Sequence, residues 1–110
     1  MKYLIIDACF GGTGIRDKYE GGYIDSALLG LSTNFTNRLS TWINKYNNEF
    51  FNGYNNANFI ADLDKEGKEI AIQLKNELSN EIKVEYYSDA RLVYDLIPEW
   101  LKTFIIYLIE

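Results

Sequence analysis

The sequence predicts an α+β fold: two long amphipathic helices packed on a small β-sheet, followed by a C-terminal helix. Three observations predict it. Phe35, Leu39, Trp42, Ile43, Tyr46 and Phe50 recur at spacings of 4, 3, 1, 3 and 4, which makes one stripe of an α-helix. Ile60, Leu63, Gly67, Ile70, Ala71, Leu74 and Leu78 repeat that pattern beyond an Asn-rich linker. Ile82, Val84 and Tyr86 then alternate with Lys83, Glu85 and Tyr87, the mark of a half-exposed strand. The chain's 110 residues fit a single domain, 1–110. A chain of this size buries roughly 60–70% of its unfolded surface, enough for one core without staples.

The elements follow in order. Lys2 to Asp7 is a short apolar run bounded by glycines and reads as a buried strand. Residues 8–22 hold five glycines and read as a loop, with room for a brief strand near Ile15. Tyr23 to Leu31 is open between a strand end and the lead into the first helix. Ser32 can cap that helix by accepting a first-turn N–H. Asn34, Asn37, Thr41, Asn44 and Lys45 form its polar face. Gly53 lies where a left-handed residue ends a helix.

The linker is Asn52 to Asn58, rich in a residue that favours turns. Asn58 is placed to cap the second helix, which Ser79-Asn80 ends. Gly67 sits on its apolar stripe and costs about 1 kcal/mol relative to Ala, which implies close approach to a neighbouring element. Ser88-Asp89 is a turn. Leu92 to Ile97 fits either a strand or a helix. Pro98 fits the first turn of the C-terminal helix, Glu99 to Leu108, with Trp100, Leu101, Phe104, Ile105 and Leu108 as its stripe.

Composition narrows the function. The chain has no His, so it lacks the commonest general base, metal ligand and pH switch. Its single cysteine, Cys9, excludes an internal disulfide and a cysteine-based zinc cage. No cofactor, metal or catalytic residue is expected. The net charge is −5. Residues 1–48 hold five bases against four acids, while residues 62–95 hold nine acids against five bases. Nucleic acid is a poor partner for such a surface, because phosphate binding needs clustered Lys and Arg. A basic protein is its electrostatic complement. Asp7 cuts the N-terminal apolar run too early for a signal peptide, and Phe104 to Ile109 is too short to span a bilayer. The expectation is a cytoplasmic protein with no membrane partner.

Four features invite a chemical reading. Asp7 to Arg16 places an acid, then Gly11-Gly12-Thr13-Gly14, then an Arg after a strand, which resembles the phosphate loop of actin-like sugar kinases. The acid-to-glycine spacing is longer here, the chain cannot hold two large kinase domains, and no Walker Lys-Ser/Thr follows. A mobile loop is the plainer reading, and a small nucleotide- or phosphate-ligand protein using residues 11–16 is the alternative. Cys9 without His is better read as a buried thiol than as a nucleophile. Asp62, Glu66 and Glu69 share one helix face, with Asp64 beside them. They fit a cation site, an acid–base pair, a basic partner or, most simply, a solvated first turn favoured by the helix dipole. The runs Phe50 to Tyr54 and Tyr86 to Asp89 fit either an adaptable contact surface or core and turn.

Taken together, several segments resemble a known family. Leu31-Ser32 opens the first helix, with Leu39, Trp42 and Tyr46 inside it. Leu63-Asp64-Lys65-Glu66-Gly67, then Ile70-Ala71, Leu74-Lys75 and Glu77-Leu78 follow, and Val84-Glu85-Tyr86-Tyr87-Ser88-Asp89 closes the unit. Over roughly residues 29 to 89 this resembles small bacterial immunity proteins of contact-dependent growth inhibition and polymorphic toxin systems. The resemblance implies a small sheet packed by two helices and a non-enzymatic antitoxin role against a cognate toxin, often a basic nuclease domain. The residues expected to meet the toxin are Asp62, Asp64, Glu66, Glu69, Tyr54, Glu85, Tyr87 and Asp89.

Overall fold

A computed structural model of the chain describes residues 2–78 and 82–97. It is an α+β fold, with two helices packed against a four-stranded mixed sheet. The strands are β1 (Tyr3–Ile6), β2 (Ile15–Asp17), β3 (Lys83–Ser88) and β4 (Val93–Leu96), in the order β2-β1-β3-β4. β1 pairs antiparallel with β2 and parallel with β3, and β3 pairs antiparallel with β4. The helices α1 (Thr33–Phe51) and α2 (Ala57–Glu77) form the crossover between β2 and β3. Residues 92–97, open between strand and helix in the sequence, contain a strand. The segment 23–31 supplies a bridge from Tyr23 to Arg16 and a 3₁₀ turn, Ser26–Leu29. The predicted C-terminal helix lies outside the described residues, as does Ser79-Asn80.

α2 lies on β1 and β3, and α1 packs along α2. The partners of the two helices run in opposite directions. Arg38 bonds Gln73 and Glu69, Trp42 Nε1 donates to the Leu63 carbonyl at 2.8 Å, and Tyr46 bonds Asp64. Ser32 caps α1 as expected, accepting from Phe35 N. Its own N–H and hydroxyl both donate to Glu77 at 2.8 Å. That contact sets a carboxylate at the positive end of the α1 dipole, where it is favoured. Asn56 rather than Asn58 caps α2. With Asn52, Asn55, Asn56 and Asn58 in one linker, residue type alone could not choose among them.

The core joins Leu4, Ile6, Ile15, Phe35, Leu39, Trp42, Tyr46, Ile70, Leu74, Val84 and Tyr86. Gly67 explains the tightest point. A Cβ there would lie 2.6 Å from Tyr86 Cζ and 2.7 Å from Trp42 Cζ2, so the two rings occupy its place. Two sequence expectations are corrected. Phe50 ends the α1 stripe but is exposed, because the stripe runs past the core at the end of the helix. The strand at 83–88 is not half-exposed in strict alternation, because Glu85 is buried as well as Val84, Tyr86 and Ser88.

Candidate functional site

Tyr54, Asp62, Asp64, Glu66, Glu69, Glu85, Tyr87 and Asp89 fall in four separate places. Asp62, Glu66 and Glu69 lie on the outer side of α2, as the helical spacing requires. Two of these acids are already paired across the helix seam. Arg38 of α1 is 3.0 Å from Glu69, and Lys45 of α1 is 3.5 Å from Glu66. Asp62 has no ion-pair partner among the described residues. The face is therefore less negative than its acids alone suggest.

Asp64 does not share that face. It is only 3% exposed, and three hydroxyls converge on it. Tyr46 and Tyr86 donate to Oδ1 at 2.8 and 2.6 Å, and Ser88 donates to Oδ2 at 2.8 Å. A buried carboxylate so bonded ties α1, α2 and β3 together, and it has no surface to offer a partner. Burial first, then contact with Asp64, holds the Tyr86 hydroxyl far above its ordinary titration range. Burial likewise pushes Tyr46 up to about 12.

Glu85 is also turned away from solvent, at 4% exposure. It belongs to the face of the sheet opposite α2. Strand alternation sends Leu4, Ile6, Val84 and Tyr86 to the helices, and Ile5, Asp7, Arg16, Glu85 and Tyr87 to the other side. There Tyr3 and Lys18 both donate to Glu85. The bond to Glu85 is the chief reason the Tyr3 hydroxyl titrates above its usual range. Asp7 accepts from Arg16 Nε at 2.8 Å, from the Tyr23 hydroxyl at 2.8 Å and from the Cys9 N–H at 3.3 Å. Tyr87 packs against Tyr94 with ring centroids 4.6 Å apart and the planes tilted by 45°. Of the residues expected to meet a partner, Glu85 and Tyr87 belong to this layer. Sequence reasoning missed the rest of it, because its members come from four strands far apart in the chain.

Asp7 and Arg16 also decide the glycine-rich segment. Gly11 to Gly14 lie in the connection of the antiparallel β1–β2 hairpin, Ile15 and Arg16 open β2, and no helix starts from the segment. Gly14 takes φ 94° and sits where a Cβ would meet Leu39 and Ile43 of α1 at under 3 Å. The Arg that would meet a phosphate is bound to the acid of the same motif. The loop is closed on itself. Cys9 is exposed rather than buried, because β1 stops at Ile6 and leaves it in this loop.

Tyr54 and Asp89 come together. The Tyr54 hydroxyl donates to Asp89 Oδ2 at 2.8 Å, and its ring packs edge-on against Tyr46 and Phe50. Tyr54 takes φ 55°, a left-handed conformation that is unfavourable for a non-glycine residue. Its ring and hydroxyl contacts hold it there. Among the described residues no group of three or more metal-ligating side chains could hold an ion, and no helix is long and apolar enough to cross a membrane.

Two comparisons bear on this arrangement. Residues 6–89, most of the chain, match a family model described as Serratia CdiI immunity protein-like. The matched stretch runs from the end of β1 to the Asp89 that holds Tyr54, so it contains both helices and β3. No curated protein matches the chain.

Proposed function

The chain belongs to the Serratia CdiI immunity protein-like family, and on that premise we propose that it binds a cognate toxin domain in the bacterial cytoplasm and neutralises it. We further propose that the toxin is a basic nuclease and that inhibition works by covering its surface rather than by chemistry. One observation carries the finer reading: the net charge is −5, with the acid excess concentrated between Asp62 and Asp95. A nuclease must present Lys and Arg to phosphate, and an acidic surface is its complement. On α2, Asp62, Glu66 and Glu69 are the acids on the outer side, whereas Asp64 and Glu85 act inside the fold.

The test begins with the neighbouring gene: a toxin C-terminal domain encoded directly upstream is the expected partner. The two proteins should co-purify, and the chain should abolish the toxin's nuclease activity at equimolar ratio. Lysine substitution of Asp62, Glu66 and Glu69 together should slow association and flatten its dependence on salt. Unchanged association kinetics at low salt would remove the α2 face from the interface. Tight binding to a toxin without nuclease activity would overturn the nuclease reading and leave the immunity role standing.

A further inference from the structure

The sequence run Phe50 to Tyr54 is open between core and contact surface, and the structure leaves its two phenylalanines exposed. Phe50 and Phe51, in the last turn of α1, are 46% and 66% exposed. Phe10, from the β1–β2 loop, is 59% exposed and reaches across to them. Its ring stacks on Phe50 at a centroid distance of 6.2 Å and meets Phe51 edge-on at 5.2 Å. Tyr54 extends the cluster from Phe50 toward Asp89. Three phenylalanines from two distant segments thus share one patch while remaining open to solvent.

The surroundings of the patch are negative. Glu49 precedes the two phenylalanines, and Asp89 holds Tyr54 at the far side. Neither has an ion-pair partner among the described residues, in contrast to Glu66 and Glu69. The last turn of α1 carries no basic residue, so the negative end of its dipole is not offset. Arg91, the nearest base in sequence to Asp89, lines a groove with Tyr54, Ala57, Ile60, Ala61 and Ala90 on the far side of Tyr54 from the three phenylalanines, and it makes no ion pair with Asp89. Aromatic faces beside carboxylates and a helix C-terminus attract a cation that also carries an apolar stem.

We infer that the Phe10–Phe50–Phe51 patch, with Glu49 and Asp89 at its margin, is the anchor point for a basic segment of the cognate toxin. An Arg or Lys of that segment lies over the exposed rings, and its apolar neighbours cover the cluster. The inference rests on the immunity reading, and it moves the centre of docking from the outer side of α2 to the end of α1. That shift follows from the pairing of charges, because Glu66 and Glu69 already have cationic partners within the molecule.

Phe10→Ala with Phe51→Ala tests it, measured as calorimetric affinity for the cognate toxin domain. Both side chains are mostly exposed, so the thermal midpoint should barely move. Affinity should fall at least about 30-fold, the loss expected of an aromatic anchor. Separately, Glu49→Lys should slow association. A wild-type chain that does not bind the toxin would sink the immunity reading itself. Wild-type binding with undiminished affinity in the double variant would overturn the patch alone. A dimer of this chain that dissolves in the double variant, with toxin affinity intact, would also overturn it by assigning the patch to self-association.

Discussion

Asp64 is the residue on which the interior turns. It joins three elements through Tyr46, Tyr86 and Ser88, and Tyr46 in turn accepts the Ala90 N–H at 3.2 Å. Asp64→Ala removes the common acceptor and leaves hydroxyls stranded in the core. A buried donor without a partner costs about 1–3 kcal/mol, so the total loss should reach at least about 3 kcal/mol. Urea unfolding reads it as a fall in midpoint. Asp64→Asn keeps the shape and one carbonyl acceptor and should lose less. Equal losses in the two variants would mean that hydrogen bonding to Asp64 is not the source. The signal for this residue was present in the sequence. Asp64 follows Ile60 by four and precedes Gly67 by three, so it stands on the apolar stripe. Lys75 stands on it as well, four residues after Ala71, and is buried with Nζ donating to the Ile82 carbonyl at 2.9 Å. Charge suggested a solvent-facing side chain, whereas helical phase gave its true direction. No local signal could show that Tyr86 and Ser88, more than twenty residues later, would return to meet Asp64.

At the scale of elements, α2 is defined by how closely it sits on its neighbours. Gly67→Ala should gain about 1 kcal/mol of helix propensity. Against that stands the added methyl, which meets Tyr86 and Trp42 at distances no real Cβ tolerates. Neither ring yields easily, since Tyr86 is hydrogen-bonded to Asp64 and Trp42 to the Leu63 carbonyl. Overpacking of this kind costs about 1–3 kcal/mol, and the substitution should lower the thermal midpoint despite the propensity gain. A midpoint that stays level or rises would show that the rings move aside. The close approach was legible from Gly67 alone, but the identity of what approaches was not. Both helices, the cap at Ser32 and the left-handed Gly53 (φ 73°) were legible because each is written in neighbouring residues. β4 was legible only as one of two alternatives, because four residues become a strand only by pairing with β3. The Phe10 contact with α1 was illegible for the same reason, and with it the aromatic patch.

For the whole molecule, the sequence showed how much acid there is but not how it is spent. Asp7 and Glu85 are neutralised on the side of the sheet opposite α2, Glu66 and Glu69 along the helix seam, and Asp95 by Lys68 at 3.2 Å. Tyrosine is a recurrent hydrogen-bond partner of the acids. Tyr46 and Tyr86 meet Asp64, Tyr23 meets Asp7, Tyr54 meets Asp89, and burial is the largest cause raising the titration of all four. The consequence is a stability that fails on the alkaline side. In the unfolded chain a tyrosine loses its proton near pH 10. Below that pH both states hold the proton, and these groups contribute their full stabilisation. As pH rises above 10 the unfolded chain releases protons that the fold retains, so unfolding becomes progressively more favourable. For Tyr46 the stabilisation is lost between pH 10 and about 12, and the other three extend the loss upward. The urea midpoint should therefore fall steadily above pH 10, and part of the tyrosinate absorbance should appear only as the chain unfolds. Tyr46→Phe with Tyr86→Phe should make the fall shallower. A fall equally steep in that double variant would assign the alkaline loss to groups outside the Asp64 cluster.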